Sequence, residues 1–347
     1  MKTRKITELI WLPTGGHIGD AILIVSIFGE AISKNPGLHI SYVMRRNASA
    51  ARELSAAYPE ISVVHLANSP LLALQRMVPL LKKRAVVMLP PPRDTHPLIV
   101  KVLGFIFMLR GSTVISFDDQ SAWLPSTDKI VYEKKKRYID NLRRALSLGH
   151  IATLPENSPP HLNLITSVPE QFPFKDTPYI VIHPFPHMST RKTMPLRRWK
   201  DLVSIIKQKY PTYSIVITGA EVDRNQAEEI QKLYPEKMFL GIDLSLQQVA
   251  GILKKAALYI GVDTGPSHLA GVLHVQSIIL SQQNDPVWLP DYNPNALLIW
   301  EKKNCVCGIP GKTCEVIEDG QPYRRCVYDI SDEAITNAIE KKLGHYA

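Results

Sequence analysis

The stretch AALYIGVDTGPSHLAGVLHV, residues 256–275, decides how this chain folds. Its apolar run, Ala256 to Val262, has the length of a buried strand and stops at the polar corner Asp263-Thr264-Gly265-Pro266-Ser267-His268. A helix-compatible segment, Leu269-Ala270-Gly271-Val272-Leu273, follows. Pro266 suits a first helical turn, where a missing N–H costs nothing, and Thr264 or Ser267 can cap the orphan amides. A helix start with unpaired N–H groups and positive dipole character attracts phosphate, which makes the corner a candidate diphosphate site. The same geometry also serves as a plain strand-to-helix connection.

Outward from this corner, apolar runs of strand length alternate with helix-period segments, the pattern of parallel sheets joined by crossover helices. Strands are expected near residues 7–13, 38–44, 61–66, 85–90 and 112–117, and again near 179–183, 214–218, 237–240, 258–262 and 276–280. Between the two sets, the proline-rich stretch Leu154 to Pro178 reads as a linker. A chain of 347 residues, 45% of them apolar, is long for one domain and can fill two cores. The expected architecture is α/β, with two Rossmann-like, doubly wound domains, residues 1–165 and 166–347, facing an interdomain cleft. Ligands of such sheets bind at the carboxyl ends of the strands. That singles out the corners at residues 13–20, 183–192, 219–223 and 263–268.

The net charge of +9 lies entirely in one half: residues 1–165 hold 21 Lys+Arg against 12 Asp+Glu, and residues 166–347 hold 20 against 20. Lys134-Lys135-Lys136-Arg137 and Arg143-Arg144 recur at helical spacing around Tyr138 and Leu142 and read as a solvated helix face. Arg45-Arg46 and Lys82-Lys83-Arg84 leave a second reading open, a half that meets a phosphorylated lipid or a membrane surface. Nucleic acid is disfavoured because no recognisable binding motif accompanies the charge. The apolar segment Leu98 to Leu109 is too short for the ~20 residues of a membrane span. The start, MKTRKITELIWLPTGG, has a basic end, but Glu8 breaks the apolar run and no small-residue cleavage site follows, so it reads as a first strand. The expected location is the cytoplasm, with contact at the inner membrane surface left open.

Thr14-Gly15-Gly16-His17-Ile18-Gly19-Asp20 follows the first strand and opens a helix expected over Ala21 to Ser33. The G-x-G-x-x-G spacing of a dinucleotide site is missing, and the second strand ends in Arg45-Arg46 with no acid for a ribose, although arginines there suit a 2′-phosphate. Gly15, Gly16 and Gly19 let a substrate approach the backbone closely. Asp20 is either a dipole partner of the helix start or a reactive carboxylate. Lys192 lies between His183-Pro184-Phe185 and Pro195-Leu196-Arg197-Arg198-Trp199, in a loop expected to face the same side as Asp263. There it is either a solvated charge or the group that neutralises a departing diphosphate. Glu221, just past Thr218-Gly219, either caps the next helix or accepts a ribose hydroxyl.

Taken together, these pieces resemble the ADP-heptose:lipopolysaccharide heptosyltransferase family, glycosyltransferase family 9, inverting enzymes of the GT-B fold. The resemblance covers nearly the whole chain in order. It rests on Gly19-Asp20, Lys192 with Pro195 and Trp199, Thr218-Gly219-Ala220-Glu221, Asp263-Thr264-Gly265-Pro266-Ser267-His268-Leu269-Ala270, and Asp285-Pro286 with Trp288 and Pro290. It implies Asp20 as catalytic base, Lys192 and the amides near Thr264 to Ser267 as diphosphate ligands, Glu221 near the nucleoside, and Asp263 and His268 around the donor sugar. The sequence departs from the family at Ser26, where Pro is common, and at Ser281-Gln282-Gln283-Asn284, where F-G-P-T is often found. The second departure bears on which sugar is held.

Four cysteines, Cys305, Cys307, Cys314 and Cys326, fall in the last 43 residues among Gly, Pro and charged residues. In a reducing compartment a four-thiolate zinc or iron site would staple a segment that buries little of its own. Their spacing is not a standard ribbon or finger, and thiols without metal are the other reading. Relatives of the same family that glycosylate autotransporter proteins are similar in carrying a C-terminal four-cysteine iron site, with different spacing. The expected activity is transfer of heptose from an ADP-sugar donor to an anionic glycolipid acceptor, lipid A–core, with no catalytic metal. Another nucleotide sugar, a protein acceptor, a sugar-nucleotide epimerase and a non-catalytic binding module remain open.

Overall fold

The structure, a computed structural model, describes residues 6–12, 16–66, 70–89, 98–118, 126–133, 135–186, 189–281, 290–301, 306 and 314–344. The chain divides into two compact units, Met1–Ile165 and Thr166–Ala347.

The first unit runs β1 (Glu8–Trp11), α1 (Ile18–Lys34), β2 (His39–Met44), α2 (Ala48–Ser55), β3 (Ile61–His65), α3 (Pro70–Leu81), β4 (Val86–Met88), α4 (Leu98–Leu109), β5 (Thr113–Asp118), β6 (Asp128–Val131) and α5 (Tyr138–Leu148). Its strands are all parallel, in the order β3-β2-β1-β4-β5-β6. Leu9, Ile10 and Trp11 of the central β1 are fully buried. A parallel strand covered on both faces reads as a continuous apolar run, which is why β1 was visible in the sequence. The order reverses between β1 and β4, the switch point at which open α/β sheets take ligands.

The second unit repeats this plan with β7 (Tyr179–His183), α6 (Leu196–Lys209), β8 (Ser214–Gly219), α7 (Arg224–Gln231), β9 (Met238–Ile242), α8 (Leu246–Lys255), β10 (Leu258–Val262), α9 (Gly265–Val272), β11 (Ser277–Leu280) and β12 (Ala296–Ile299). The sheet order β12-β11-β10-β7-β8-β9 puts the switch point between β7 and β10. A hairpin, β13 (Glu315–Glu318) with β14 (Gln321–Arg324), then leads to α10 (Arg325–Tyr328) and α11 (Asp332–Leu343). Val327, Ile335, Ile339 and Leu343 of these last helices join the core formed by β7, β8 and α6.

The sixth strand of each sheet escapes the sequence pattern. In β6, DKIV, only Ile130 is buried and no apolar run is present, whereas β12, ALLI, is wholly apolar in sequence but only half-buried. The expected linker has no regular element, yet its middle is anchored to each unit in turn. Asn163 N–H donates to the Tyr58 hydroxyl at 2.7 Å in the first unit, and Ser167 N–H donates to Gln247 O at 3.2 Å in the second. Burial of Leu162, Leu164, Phe172 and Phe174 accounts for its order. Arg143 corrects the solvated-face reading of 134–144. It is fully buried, with a two-pronged bond to Glu30 at 2.7 and 3.0 Å, a bond to Asp140 at 3.2 Å and one to Ser158 O at 2.7 Å. A buried guanidinium persists when every prong finds a partner.

Candidate functional site

In the second unit the chain leaves the buried β10 at Asp263 and turns into α9 at Gly265. The corner is closed by its own side chains. Thr264 N–H donates to Ser267 Oγ at 3.1 Å, Ser267 Oγ donates back to Thr264 O at 2.7 Å, and Ser267 N–H donates to Thr264 O at 3.1 Å. Pro266 has no N–H to offer. Among the described residues, Gly265 is therefore the first-turn amide left without an acceptor, which narrows the group expected over Thr264 to Ser267. Ser267 is fully buried and acts as a cap, leaving no surface on which a ligand could rest.

Asp263 gathers the charged groups. Its Oδ2 lies 3.7 Å from Lys192 Nζ and its Oδ1 lies 3.9 Å from His268 Nε2. The His268 ring stacks on Tyr292, with Nδ1 3.1 Å from the Tyr292 hydroxyl. The Tyr292 hydroxyl also donates to His268 O at 3.4 Å. Burial, ahead of the opposing pull of Asp263, lowers the His268 pKa. Lys192 is thus the cation left to face Asp263, and at 38% side-chain exposure it reaches solvent beside the helix start.

The loop that presents Lys192 is anchored on both sides. Thr193 Oγ1 donates to Pro184 O at 2.6 Å and accepts from Trp199 Nε1 at 2.9 Å. Thr190 Oγ1 donates to Pro322 O in the β13–β14 hairpin at 2.9 Å, and Arg191 pairs with Glu315 at 2.7 Å. Arg197 forks onto Glu318 at 2.7 and 2.9 Å, with the Tyr328 hydroxyl on the same carboxylate. The C-terminal hairpin therefore braces the loop of Lys192.

His183, at the end of β7, has its Nδ1 3.0 Å from Thr218 Oγ1 at the end of β8. Burial lowers its pKa from 6.5 to about 4. Below pH 6.5 the unfolded chain takes up a proton that the folded chain refuses until about pH 4, so stability drains away through that window as the pH falls. At pH 5 the loss through His183 alone is expected to be about 2 kcal/mol. Denaturant midpoints at pH 7 and pH 5 measure it, and His183→Gln is expected to show the smaller pH dependence. Equal pH dependence of variant and wild type would exclude His183 as the source.

Two tyrosines that sequence reasoning did not single out complete this site. Tyr259 and Gly261 are two apart on β10, on one face, and a Cβ at Gly261 would run into the Tyr259 phenol. Burial drives the Tyr259 pKa up against the lowering effect of a Thr264 hydrogen bond, and the nearby charge of Asp263 adds to the rise. Tyr292 leaves no room for a Cβ at Gly271, which lies one turn past His268. The available signal was the pairing of a bulky phenol with a glycine on the strand and helix of the polar corner. Glu221 is exposed and forks onto Arg224, both contacts at 2.6 Å, which lowers its pKa. The N-cap position of α7 is held by Asp223, whose carboxylate accepts from Ala220 N–H in the preceding turn at 2.8 Å and makes no side-chain bond to the helix itself.

In the first unit Gly16 is buried at φ +82°, a backbone that favours glycine, and its oxygen accepts from Asn47 Nδ2 at 2.6 Å. A Cβ there would sit 3.2 Å from Arg46 Cβ, so the loop after β1 rests on the end of β2. His17 is exposed at the N-cap of α1, and Gly19 and half-buried Asp20 follow in its first turn. The Asp20 carboxylate lies close enough to add to burial in raising the pKa of Tyr42 on β2. Gly15 lies outside the described residues, as do Asp285, Pro286 and Trp288.

Of the four cysteines, Cys314 and Cys326 are both buried and flank the same end of the hairpin. Arg325 N–H donates to Cys314 O at 2.9 Å, and Glu301 N–H donates to Cys326 O at 2.8 Å. Residues 301 and 314, which bound the segment bearing Cys305 and Cys307, therefore both bond to the 325–326 backbone. Cys305 and Cys307 themselves lie outside the described residues. Among the described residues no group of three or more His, Cys, Asp or Glu is placed to hold a metal ion.

Both units are Rossmann-type α/β sheets, and the second carries the Lys192 ammonium and the Gly265 amide beyond its strand ends, where such sheets take ligands. Residues 100–309 match the model of glycosyltransferase family 9 (heptosyltransferase), more than half of the chain, and the protein belongs to that family. It is a glycosyltransferase. Lys192, Glu221 and Asp263 to His268 fall inside the matched residues, and Asp20 falls outside them. The fold is similar to that of Escherichia coli ADP-heptose lps heptosyltransferase II, with a TM-score of 0.70 at 15% identity over 98% of this chain and 99% of that one. E. coli heptosyltransferase WaaC, described with ADP, gives 0.69 at 16% over 96% and 99%. The iron-containing dodecameric glycosyltransferase TibC of enterotoxigenic E. coli gives 0.57 at 15% over 100% of this chain and 78% of that one. At these identities the likeness shows the GT-B fold. No curated protein matches the sequence.

Proposed function

We propose that the protein transfers a heptose from ADP-heptose, held by the second unit, to an anionic glycolipid of the lipid A–core type, held by the first, with inversion at the anomeric carbon. The observation that carries this reading is the approach of Lys192 to Asp263 beside the Gly265 amide at the start of α9. A cation and a helix N-terminus side by side suit a diphosphate. In the proposed mechanism Asp20 takes the acceptor hydroxyl proton while that oxygen attacks the anomeric carbon. The bond to the ADP oxygen breaks, and Lys192 with the Gly265 amide meets the charge that gathers on the leaving diphosphate. This chemistry needs no catalytic divalent metal. Asp263 and His268 face the donor sugar, and Glu221 lies toward the nucleoside. Location in the cytoplasm follows from where a nucleotide sugar is available.

A thermal-shift panel of ADP-, UDP-, GDP- and CDP-sugars tests the donor, because a ligand that binds the folded state raises its melting temperature by mass action. ADP-heptose is expected to give the largest shift. A larger shift with another nucleotide sugar would replace it.

The cysteine hairpin favours a second element of the reading, a structural zinc or iron ion on Cys305, Cys307, Cys314 and Cys326, and with it a protein acceptor as the alternative. Buried Cys314 and Cys326 at one end of a hairpin, with Glu301 bonded to Cys326 O, suit a thiolate set, and the ion would hold the brace under the Lys192 loop. Purified protein is expected to carry about one zinc or iron per chain. Elemental analysis beside a thiol titration checks this; four titrating thiols and no metal would remove the site.

A further inference from the structure

Helix α4 is apolar on opposite sides. Val100, Leu103 and Phe107 face the core of the first unit. Leu98, Val102, Phe105 and Leu109, spaced by four, three and four residues, line the other side and are 76%, 47%, 44% and 70% exposed. An outer helix face is ordinarily polar, and this helix, LIVKVLGFIFML, contains no acidic residue at all. Basic groups border the stripe. Lys101 lies on its flank and Arg110 directly follows it, while the Arg84 guanidinium lies beside Gly111. Lys82, Arg84 and Arg110 are exposed, and none of these or Lys101 pairs with a carboxylate among the described residues. Lys83 differs, being held by Glu8 at 2.8 Å.

A stripe of this size, on the order of 400 Å², marks a contact surface but is about half of what one partner of a stable protein pair contributes. At 1.5 Å per residue the helix is about 18 Å long, short of the ~30 Å of a bilayer core. No described helix is long and apolar enough to cross a membrane. An apolar ridge bordered by unpaired cations suits an interface whose interior is apolar and whose rim is anionic. We propose that the outer face of α4 lies in the headgroup layer of an anionic membrane, with Leu98, Val102, Phe105 and Leu109 reaching the acyl chains and Lys82, Arg84, Lys101 and Arg110 meeting lipid phosphates. This deepens the glycolipid reading, on which it rests for the reason such a surface would be visited.

The test is flotation of the full chain with phosphatidylcholine vesicles, with and without phosphatidylglycerol, containing no acceptor. Binding is expected only with phosphatidylglycerol present. Replacing Leu98, Val102, Phe105 and Leu109 together by Gln, a good helix former, is expected to weaken it about tenfold or more. Lys101→Glu with Arg110→Glu is expected to weaken it comparably, and ADP affinity by calorimetry stays unchanged in both variants. Three results would overturn the proposal: no binding of the wild type to anionic vesicles, equal binding by the glutamine variant, or a dimer in lipid-free solution that the glutamine variant dissolves. The last would give the face to a second copy of the chain. Failure of the wild type to bind ADP would instead defeat the donor reading and leave the vesicle result standing.

Discussion

Asp20→Asn is expected to lower sugar transfer by about 100-fold or more while leaving ADP affinity and the folded state intact, the loss that accompanies removal of a general base. Asp20 stands in the first turn of α1, half-buried, directly after the loop that joins β1 to α1. The carboxyl end of β1 at the switch point is where such a sheet meets its ligand. The amide keeps the shape of the side chain and gives up the lone pair that receives the proton. The carboxylate's share of the helix-dipole interaction is worth about 0.3–1 kcal/mol. Turnover and calorimetry on the same preparation separate chemistry from binding. Equal turnover in variant and wild type would leave Asp20 as a dipole partner alone, which is the plainer reading of its position.

Lys192→Ala is expected to weaken ADP binding about tenfold or more and to slow transfer about 100-fold, because in the proposed mechanism one charge both holds the diphosphate and meets what develops on it at the transition state. Removing it also leaves Asp263 facing the donor without its cation, since burial holds down the pKa of the other neighbour, His268. The fold loses little. A pair at 3.7 Å with a lysine 38% exposed is worth at most about 1 kcal/mol. Calorimetry with ADP decides the matter, and an unchanged dissociation constant would reduce Lys192 to a surface charge. The cysteine brace gives this prediction a second handle. Glu315→Gln would break the pair with Arg191 without touching Lys192, and a loosened loop is expected to raise the ADP dissociation constant in the same direction by less.

Much of the architecture can be read without coordinates because burial between two helical layers leaves a local trace. Strands β1, β7 and β10 are unbroken apolar runs, and the polar corner after β10 carries its own capping chemistry in Thr264, Pro266 and Ser267. The edge strand β6, DKIV, lacks such a run because an edge strand is covered on fewer sides, while β12, ALLI, carries an apolar run that is only half-buried. Side-chain roles behaved differently. Arg143 belongs by spacing to a solvated face, yet Glu30, far away in sequence, turns it into a buried hub. Ser267, a ligand candidate by position, is consumed as a cap, whereas Gly265 keeps its amide. The tyrosines beside Asp263 and His268 gave no motif signal, because each acts through the space left by a glycine on the same strand or on a neighbouring helix.

What the sequence by itself determined is the succession of strands and helices, the polar corners at strand ends, the location of the charge in residues 1–165 and the kinship to one family of transferases. Hydrophobic period and corner chemistry are properties of neighbouring residues, so they survive being read in one dimension. The tertiary structure alone decided that Lys192 meets Asp263, that the Cys314–Cys326 hairpin braces the Lys192 loop, and that one face of α4 stays apolar and uncovered. Those relations depend on strand order and loop path, which bring together groups that the chain keeps far apart, and no local periodicity encodes them.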